Sequence, residues 1–372
     1  MERRSGSGKK AKRIIAFYKA PNRGAITVNK KRNIVGFLYF FIHFIIEVTS
    51  FYVVTRCTDN DSIWALALLY DFLAFVPQGA FGYLKDKGVK VNFAAVGMIL
   101  SGISLALLHF ECSAVIIVLV VSVGNCMIHI QGAETTLRSS AGKMTPSAVF
   151  VAGGSFGVIT GKLLAAHNVP ILYVAAIHLL MLVPLLLCRR YSDLIDEHNL
   201  EAYDLTDPNR SNRTVLLLAV LVVVVRAYMG YGIPTTWNKT QVQTVLLYCA
   251  MGVGKALGGV LIDRIGVRKT ALISTVGALP FLIVGNNLMT VSLFGIMLFS
   301  MTMAITLGLL VSRLKEAPGV AFGLTTIGLF LGSVPVFVFR TDSVLINSIT
   351  VAVLTLASVV ILNMICRKER VK

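Results

Sequence analysis

The sequence predicts an all-α polytopic membrane protein with twelve transmembrane helices arranged as two six-helix bundles. Three observations predict this fold class: an apolar composition, a regular series of apolar runs, and motifs that occur once in each half. Of the 372 residues, 56% are hydrophobic and 14% are charged, and the mean hydropathy is +0.77. In a soluble globular domain about 25% of residues are charged. The composition therefore excludes a soluble protein.

Apolar runs follow one another along the whole chain after a basic N-terminal tail. Each has the length, about 20 residues, that a helix needs to cross the hydrocarbon core of a bilayer. The twelve runs lie near 34–55, 62–84, 91–110, 113–137, 145–166, 169–188, 214–236, 242–262, 267–287, 289–312, 319–339 and 343–365. Glycine and proline interrupt many of them, as spanning helices tolerate.

A charged turn that follows a small-residue helix occurs twice. In each copy a glycine is followed four residues later by an aspartate and then by a basic residue. The two copies are Gly82, Asp86 and Lys87, and Gly259, Asp263 and Arg264. Because both copies end one apolar run and begin the next, they predict two halves with related structures.

A proline-led helix start with glycines behind it also occurs twice. The two copies are Pro146–Phe150 with Gly157 and Gly161, and Pro318–Phe322 with Gly328 and Gly332. Glycines four residues apart lie on one helix face and let two helix backbones approach closely. This repeat predicts that the fifth and eleventh helices occupy equivalent positions in the two halves.

The longest polar connection lies near the middle of the chain and separates six apolar runs from six. It predicts a linker rather than a domain. The predicted organisation is a basic cytoplasmic tail at 1–33, a first bundle at 34–188, a cytoplasmic linker at 189–213, a second bundle at 214–366 and a short tail at 367–372.

Lysine and arginine set the orientation. Most of the 35 basic residues fall in the two tails and in alternate loops, whereas the other side would hold only Arg56, Lys239 and Arg340. This asymmetry predicts that both termini lie in the cytoplasm. The predicted location of the protein is the cell's inner (plasma) membrane. The net charge of +17 is best explained by lipid-facing loops and tails, so no nucleic-acid partner is expected.

Ionisable residues inside the apolar runs are candidates for function, because each is costly at the membrane centre. His43 and Glu47 lie one helical turn apart in the first helix, and Asp71 lies in the second. All three are candidate proton-coupling residues. The alternative for each is a structural hydrogen bond between helices.

Arg226 is the strongest candidate for substrate binding, because arginine stays charged and must face an anion. That anion could be Glu47, Asp71 or the substrate. The other candidates are Tyr228, Tyr231, Gln78, Asn125, His129 and Lys255. Lys255 either lines the cavity or extends its amine towards the membrane surface. Glu134 and Arg138 are spaced to pair with each other, and Lys162 and His178 are expected to be structural.

No enzyme, nucleotide-binding or cofactor signature is present in the sequence. Transport would therefore be secondary and would need no cofactor. The six cysteines are scattered without a Cys-x-x-Cys pair, so we expect no metal site. Cys57 and Cys112 fall in loops on one side, where they either form a disulfide or remain free thiols.

The duplicated charged turn, the central linker and the inside termini resemble the major facilitator superfamily. The resemblance implies that Asp86 and Asp263, within the two Gly-x-x-x-Asp motifs, latch onto helix ends of the opposing half and stabilise an outward-open state. The first copy lacks one residue before Gly88 and has lysine for the usual arginine, which implies a weaker latch. The superfamily also implies a monomer.

Within that superfamily the chain is similar to bacterial exporters of the fosmidomycin-resistance type. The residues that carry this similarity are His43–Glu47, Tyr70–Gln78, Gly124, Asn125, His129, Gly153, Gly154 and Arg226–Gly230. It implies export of a small organic compound in exchange for protons.

The sequence therefore predicts a proton-coupled antiporter that exports a small organic compound, with an anion favoured by Arg226. Uptake of a nutrient or metabolite by the same fold is the first alternative. Another class is a non-transporting receptor or scaffold, or a lipid flippase. Long loops or a soluble domain would favour a receptor, and apolar cavity walls would favour a flippase.

Overall fold

Helices make up nearly all of the described chain. The computed structural model describes residues 23–57, 63–194, 202–232, 240–285, 288–337 and 343–368. Within these residues there is no strand, only an isolated bridge between Thr206 and Cys366. Eleven described helices are long and apolar enough to cross a membrane, and a twelfth, Phe93–His109, is apolar but has 17 residues. The predicted fold of twelve helices in two bundles is confirmed.

We number the twelve membrane-spanning segments α1 to α12. Their bounds are α1 Arg23–Cys57, α2 Ile63–Phe75 with Gln78–Asp86, α3 Phe93–His109, α4 Ala114–Arg138, α5 Thr145–Ala166, α6 Ile171–Leu179 with Leu182–Cys188, α7 Asn212–Gly232, α8 Gln241–Ile265, α9 Val267–Thr275 with Leu279–Val284, α10 Met289–Ser300 with Thr302–Arg313, α11 Pro318–Ser333 and α12 Val344–Ile365.

Four segments that the sequence predicts as continuous helices are interrupted. In α2, α6 and α9 the interruption lies shortly before or at a proline, namely Pro77, Pro184 and Pro280. Proline has no N–H to donate to the carbonyl four residues back, which breaks the ladder there. The fourth, α10, is interrupted at Met301 with no proline nearby. Segment α1 also differs from its predicted bounds, because the helix begins at Arg23 within the predicted tail.

Close helix pairs form around the repeated glycines. A Cβ atom on Gly153, Gly157 or Gly161 of α5 would collide with the backbone of α1, and one on Gly332 of α11 would collide with the backbone of α7. The glycine repeat therefore serves the same packing in both halves, as predicted. The halves meet through α2 with α11 and α5 with α8.

Residues 202–207, which we call the strap, join the two halves at the predicted cytoplasmic end. Tyr203 is fully buried, and its hydroxyl lies 2.5 Å from Ser140 Oγ on the first half. The Leu205 N–H donates to Ser312 Oγ of the second half at 3.2 Å. Burial raises the pKa of Tyr203 because the phenolate would lose its water. The strap is thus a packed element and not a loose linker.

We expect Tyr203→Phe to lower the unfolding free energy by about 1 kcal/mol, because it removes only the hydroxyl hydrogen bonds. Tyr203→Ala should cost about 3–5 kcal/mol by emptying a buried ring site. Thermal unfolding of the purified protein measures both. Tyr173→Ala is the control, since that ring is 63% exposed. Equal effects of the Tyr203→Ala and Tyr173→Ala changes would contradict this packing role.

Cys57 and Cys112 are both free thiols. The disulfide alternative is therefore wrong, and the alternative of two unpaired cysteines holds.

Candidate functional site

Glu47 lies at the centre of a buried cluster with two histidines, which we call the Glu47 triad. Glu47 Oε1 is 3.5 Å from His43 Nε2 and 3.3 Å from His129 Nε2. All three side chains are buried. The two imidazole rings pack edge to face with centroids 4.4 Å apart. The sequence predicts the His43 and Glu47 pairing from their spacing, but it carries no signal that His129 completes the cluster.

The second ring nitrogen of each histidine is bonded to a backbone carbonyl. His43 Nδ1 lies 2.8 Å from the carbonyl oxygen of Phe150, and His129 Nδ1 lies 2.9 Å from that of Asn125. Because a carbonyl oxygen only accepts, each Nδ1 carries the hydrogen and donates it. Both Nε2 atoms therefore face Glu47 Oε1.

Three cationic side chains lie within the membrane-spanning segments α5, α7 and α8, namely Lys162, Arg226 and Lys255, and we call them the cation cluster. Lys255 donates to Ser155 Oγ of the other half at 2.8 Å, and Lys162 donates to Tyr248 Oη at 3.2 Å. Arg226 contacts Met303 Sδ at 3.0 Å. Lys255 lies within electrostatic range of both Arg226 and Glu47.

Lys162 also packs over two aromatic rings, at 5.3 Å from the Phe51 centroid and 5.6 Å from the Tyr248 centroid. The sequence predicts a structural role for Lys162 and carries no signal of its contact with Tyr248 of the other half. Asp71 is half-buried and lies within electrostatic range of Lys162 and Glu47. Lys255 reaches Ser155 across the interface between the halves, and its two alternatives, lining the cavity or extending towards the membrane surface, stay predictions.

The remaining substrate candidates are dispersed. Gln78 is buried and donates to the Ala74 carbonyl at 2.7 Å, and Asn125 donates to Ser50 Oγ at 3.1 Å. Tyr228 is half-buried on α7 near Arg226, and the side chain of Tyr231 lies outside the described residues. His178 bonds Thr49 and the Met98 carbonyl. Glu47 Oε1 contacts the two histidines, and the identity of the anion opposite Arg226 stays a prediction.

The two charged turns cap helices of the opposing half. Asp263 accepts from the backbone N–H groups of Met144 and Thr145 at 2.8 and 2.9 Å and from the Thr145 hydroxyl at 2.6 Å. Asp86 accepts from the N–H groups of Gly319 and Val320 at 3.0 and 2.8 Å. Helix N-termini favour carboxylates because their first N–H groups have no partner within the helix.

The neighbours of the aspartates differ between the two turns. Around Asp86, Arg138 lies 3.7 Å from it and 3.2 Å from Glu134, the pair predicted from their spacing. Lys87 lies over the Tyr83 ring, and Arg264 is exposed. The glycines permit close approach: Gly82 faces the backbone of Gly319, and Gly259 faces Met144 and Ala148.

Comparisons with known proteins identify the fold. No family model matches the sequence, and no curated protein matches it. The structure resembles that of the human organic anion transporter MFSD10 (TETRAN), with a TM-score of 0.60, 15% identity, and coverage of 90% of this chain and 99% of that one.

Two structures of FucP are also similar. One is described as a major facilitator superfamily transporter in the outward conformation, with a TM-score of 0.56, 12% identity, and coverage of 89% and 98%. The other is a point variant of the E. coli fucose:proton symporter FucP, with a TM-score of 0.57, 14% identity, and coverage of 90% and 99%. All three are transporters and not enzymes. The chain therefore has the major facilitator fold, and the finer similarity to fosmidomycin-resistance exporters stays a prediction.

Proposed function

We propose that this protein, which has the fold of the major facilitator transporters, is a proton-coupled secondary transporter that exports a small organic anion by alternating access. The cation cluster is the observation that carries the proposal. Two of its members reach across the interface between the halves, from α5 to α8 and from α8 to α5. A substrate bound there contacts both halves, as alternating access requires.

The cluster's three cations outnumber the two carboxylates within their electrostatic range, Asp71 and Glu47, and this charge balance favours an anion. Grouping Lys162, Arg226 and Lys255 inside a membrane is costly, since each charge loses hydration. An anionic substrate offsets this cost, whereas a cation would add to it. The similar MFSD10 structure is that of an organic anion transporter, which supports the same substrate class. A cluster of this kind also favours an exporter of polar anions over a lipid flippase, which needs apolar walls.

We assign the proton to Asp71 among the predicted coupling residues. Ionised Asp71 attracts Lys162, and protonated Asp71 leaves that lysine available to an anion, which couples the two ligands. Glu47 and His43 are the other candidates. Glu47 contacts two imidazoles, whereas Asp71 faces a lysine of the cation cluster, which would change its partner when an anion binds. We further propose an inner-membrane monomer with both termini in the cytoplasm.

The test is proton movement in proteoliposomes with an interior pH dye, against a panel of small organic anions and cationic drugs. We expect a pH change with at least one anion. Lys255→Ala or Arg226→Ala should lower its apparent affinity about 10–100-fold, the value of one charge-assisted hydrogen bond. Arg189→Ala, at an exposed position, is the control. A pH change with cationic drugs alone would contradict the substrate class.

Asp71→Asn separates coupling from transport. We expect this variant to carry the labelled anion without moving protons, because the amide cannot ionise. Unchanged proton movement in Asp71→Asn would contradict the assignment. The direction of the gradient that drives accumulation distinguishes export from uptake, the alternative that the fucose:proton symporter structures favour.

A further inference from the structure

The Glu47 triad has the geometry of a metal centre. We propose that His43 Nε2, Glu47 Oε1 and His129 Nε2 bind one divalent transition-metal ion, with zinc as its reference member. This proposal goes beyond the transport function and does not depend on it. It also revises the expectation, drawn from the scattered cysteines, that the protein has no metal site.

The distances between the ligand atoms support coordination. A tetrahedral ion with ligands at about 2.0–2.1 Å holds neighbouring ligand atoms about 3.3–3.4 Å apart. The observed separations from Glu47 Oε1 are 3.5 and 3.3 Å, and all three ligand atoms lie within 4.8 Å of one another. Typical N–H···O hydrogen bonds are shorter, about 2.7–3.2 Å. Both observed separations are thus close to the value expected for two ligands of one ion.

The tautomers of the histidines support the same conclusion. Phe150 and Asn125 supply the carbonyls that hold each Nδ1–H. In the neutral imidazole the Nε2 atom then carries the lone pair, and both lone pairs face the carboxylate. Metal-binding histidines show this arrangement, with the second nitrogen donating to a carbonyl that fixes the ring. A cation between the three atoms turns their mutual repulsion into attraction.

The ligand set indicates the class of metal. Two imidazole nitrogens and a carboxylate suit zinc and the neighbouring first-row metals, while calcium and magnesium prefer oxygen ligands. Glu47 Oε2 is buried and has no hydrogen-bond partner among the described residues, so a second carboxylate oxygen is available to the ion. All ligands come from α1 and α4 of one half, so the site moves as a unit when the halves rock.

Gly154 of α5 has no side chain and so leaves room for the His43 ring. A Cβ atom at this position would collide with Nε2 and Cε1 of the His43 ring. The Gly154→Ala variant therefore disturbs the ligand geometry while it keeps all three ligands. It offers a test in which no metal-binding group is removed.

The experiment uses the full-length protein, purified in detergent and stripped with a chelator. Calorimetric titration with Zn²⁺ should give one binding site per chain. The absorption spectrum of the Co²⁺-loaded protein should show the bands of an ion held by a small number of nitrogen and oxygen ligands. Glu47→Gln and His129→Gln should each weaken Zn²⁺ binding at least about 100-fold, because losing a ligand costs at least as much as the loss of about 10–100-fold when a group that only orients a ligand is removed. Gly154→Ala should weaken it as well.

The control is His178→Gln, which removes a buried histidine of the same half that bonds Thr49 and the Met98 carbonyl. The His178→Gln variant should bind Zn²⁺ with wild-type affinity. Zn²⁺ should raise the melting temperature of the wild type and the control but not of Glu47→Gln, whose own melting transition shows that the variant was folded. Wild-type affinity in Glu47→Gln and His129→Gln would overturn the proposal. So would a site that Cys112→Ser abolishes, since that thiol is exposed.

Discussion

Replacing Asp263 with alanine is expected to shift the protein by about 100-fold towards a state in which the predicted cytoplasmic end is open. The carboxylate accepts three hydrogen bonds from Met144 and Thr145, across the boundary between the halves. Hydrogen bonds to a charged group contribute about 1.5–3 kcal/mol each. When the halves separate, hydrogen bonds from water to the carboxylate replace part of this free energy. A net loss of about 3 kcal/mol corresponds to the stated shift.

The shift can be measured as a distance between spin labels. Lys90 and Glu316 are exposed positions in loops of opposite halves at the same end, and both can be replaced by labelled cysteines in a cysteine-free background. Asp263→Ala should populate longer distances, and anion transport should fall at least about tenfold. Asp86→Ala should act in the same direction, since its carboxylate caps α11 in the way that Asp263 caps α5.

Asp193→Ala is the matched control, because Asp193 is exposed beyond the end of α6. It should leave both the distances and transport unchanged. If the distances in Asp263→Ala and Asp86→Ala equal those of the control, the two charged turns are not latches. A larger effect for Asp263 than for Asp86 would agree with the weaker first latch that the deletion before Gly88 implies.

Gly157→Leu is expected to prevent the first bundle from folding. A Cβ atom at Gly157 would collide with the Phe44 carbonyl and with the Cβ atom of Glu47 on α1. Overpacking by a few atoms already costs about 1–3 kcal/mol in a core, and here the obstacle is backbone that cannot move aside. We expect a cost above about 3 kcal/mol, which exceeds what repacking can recover.

Gly230→Leu is the control for this change. Among the residues that the structure describes, a Cβ atom at Gly230 would meet nothing within 4 Å, so leucine there should be neutral or gain about 1 kcal/mol from helix propensity. The fraction of monodisperse protein on size-exclusion chromatography and the melting temperature measure both variants. Equal yields of folded Gly157→Leu and Gly230→Leu would contradict the close α1–α5 contact.

The membrane class, the number of spanning segments and the relation between the halves can all be read from the amino-acid sequence. These properties follow from local features, since an apolar run of about 20 residues must form a helix in lipid to satisfy its own backbone. The glycine repeat likewise predicts which helix faces pack closely, and the contacts at Gly157 and Gly332 confirm it. The helix breaks near the prolines were not predicted, because the apolar composition continues through them.

Which distant side chains meet depends instead on how the helices pack. The spacing of His43 and Glu47 predicts their pairing on one helix, but His129 reaches Glu47 because α4 packs on α1. Lys162 is predicted to be structural, and the sequence carries no signal that it lies against Tyr248 of the other half. Spacing along the chain reports neighbours within a helix, whereas contacts between helices depend on how whole faces fit together. Helix packing thus brings His129 to the Glu47 pair and brings Lys162 and Lys255 into contact with the opposite half, and the sequence carries no signal of these contacts.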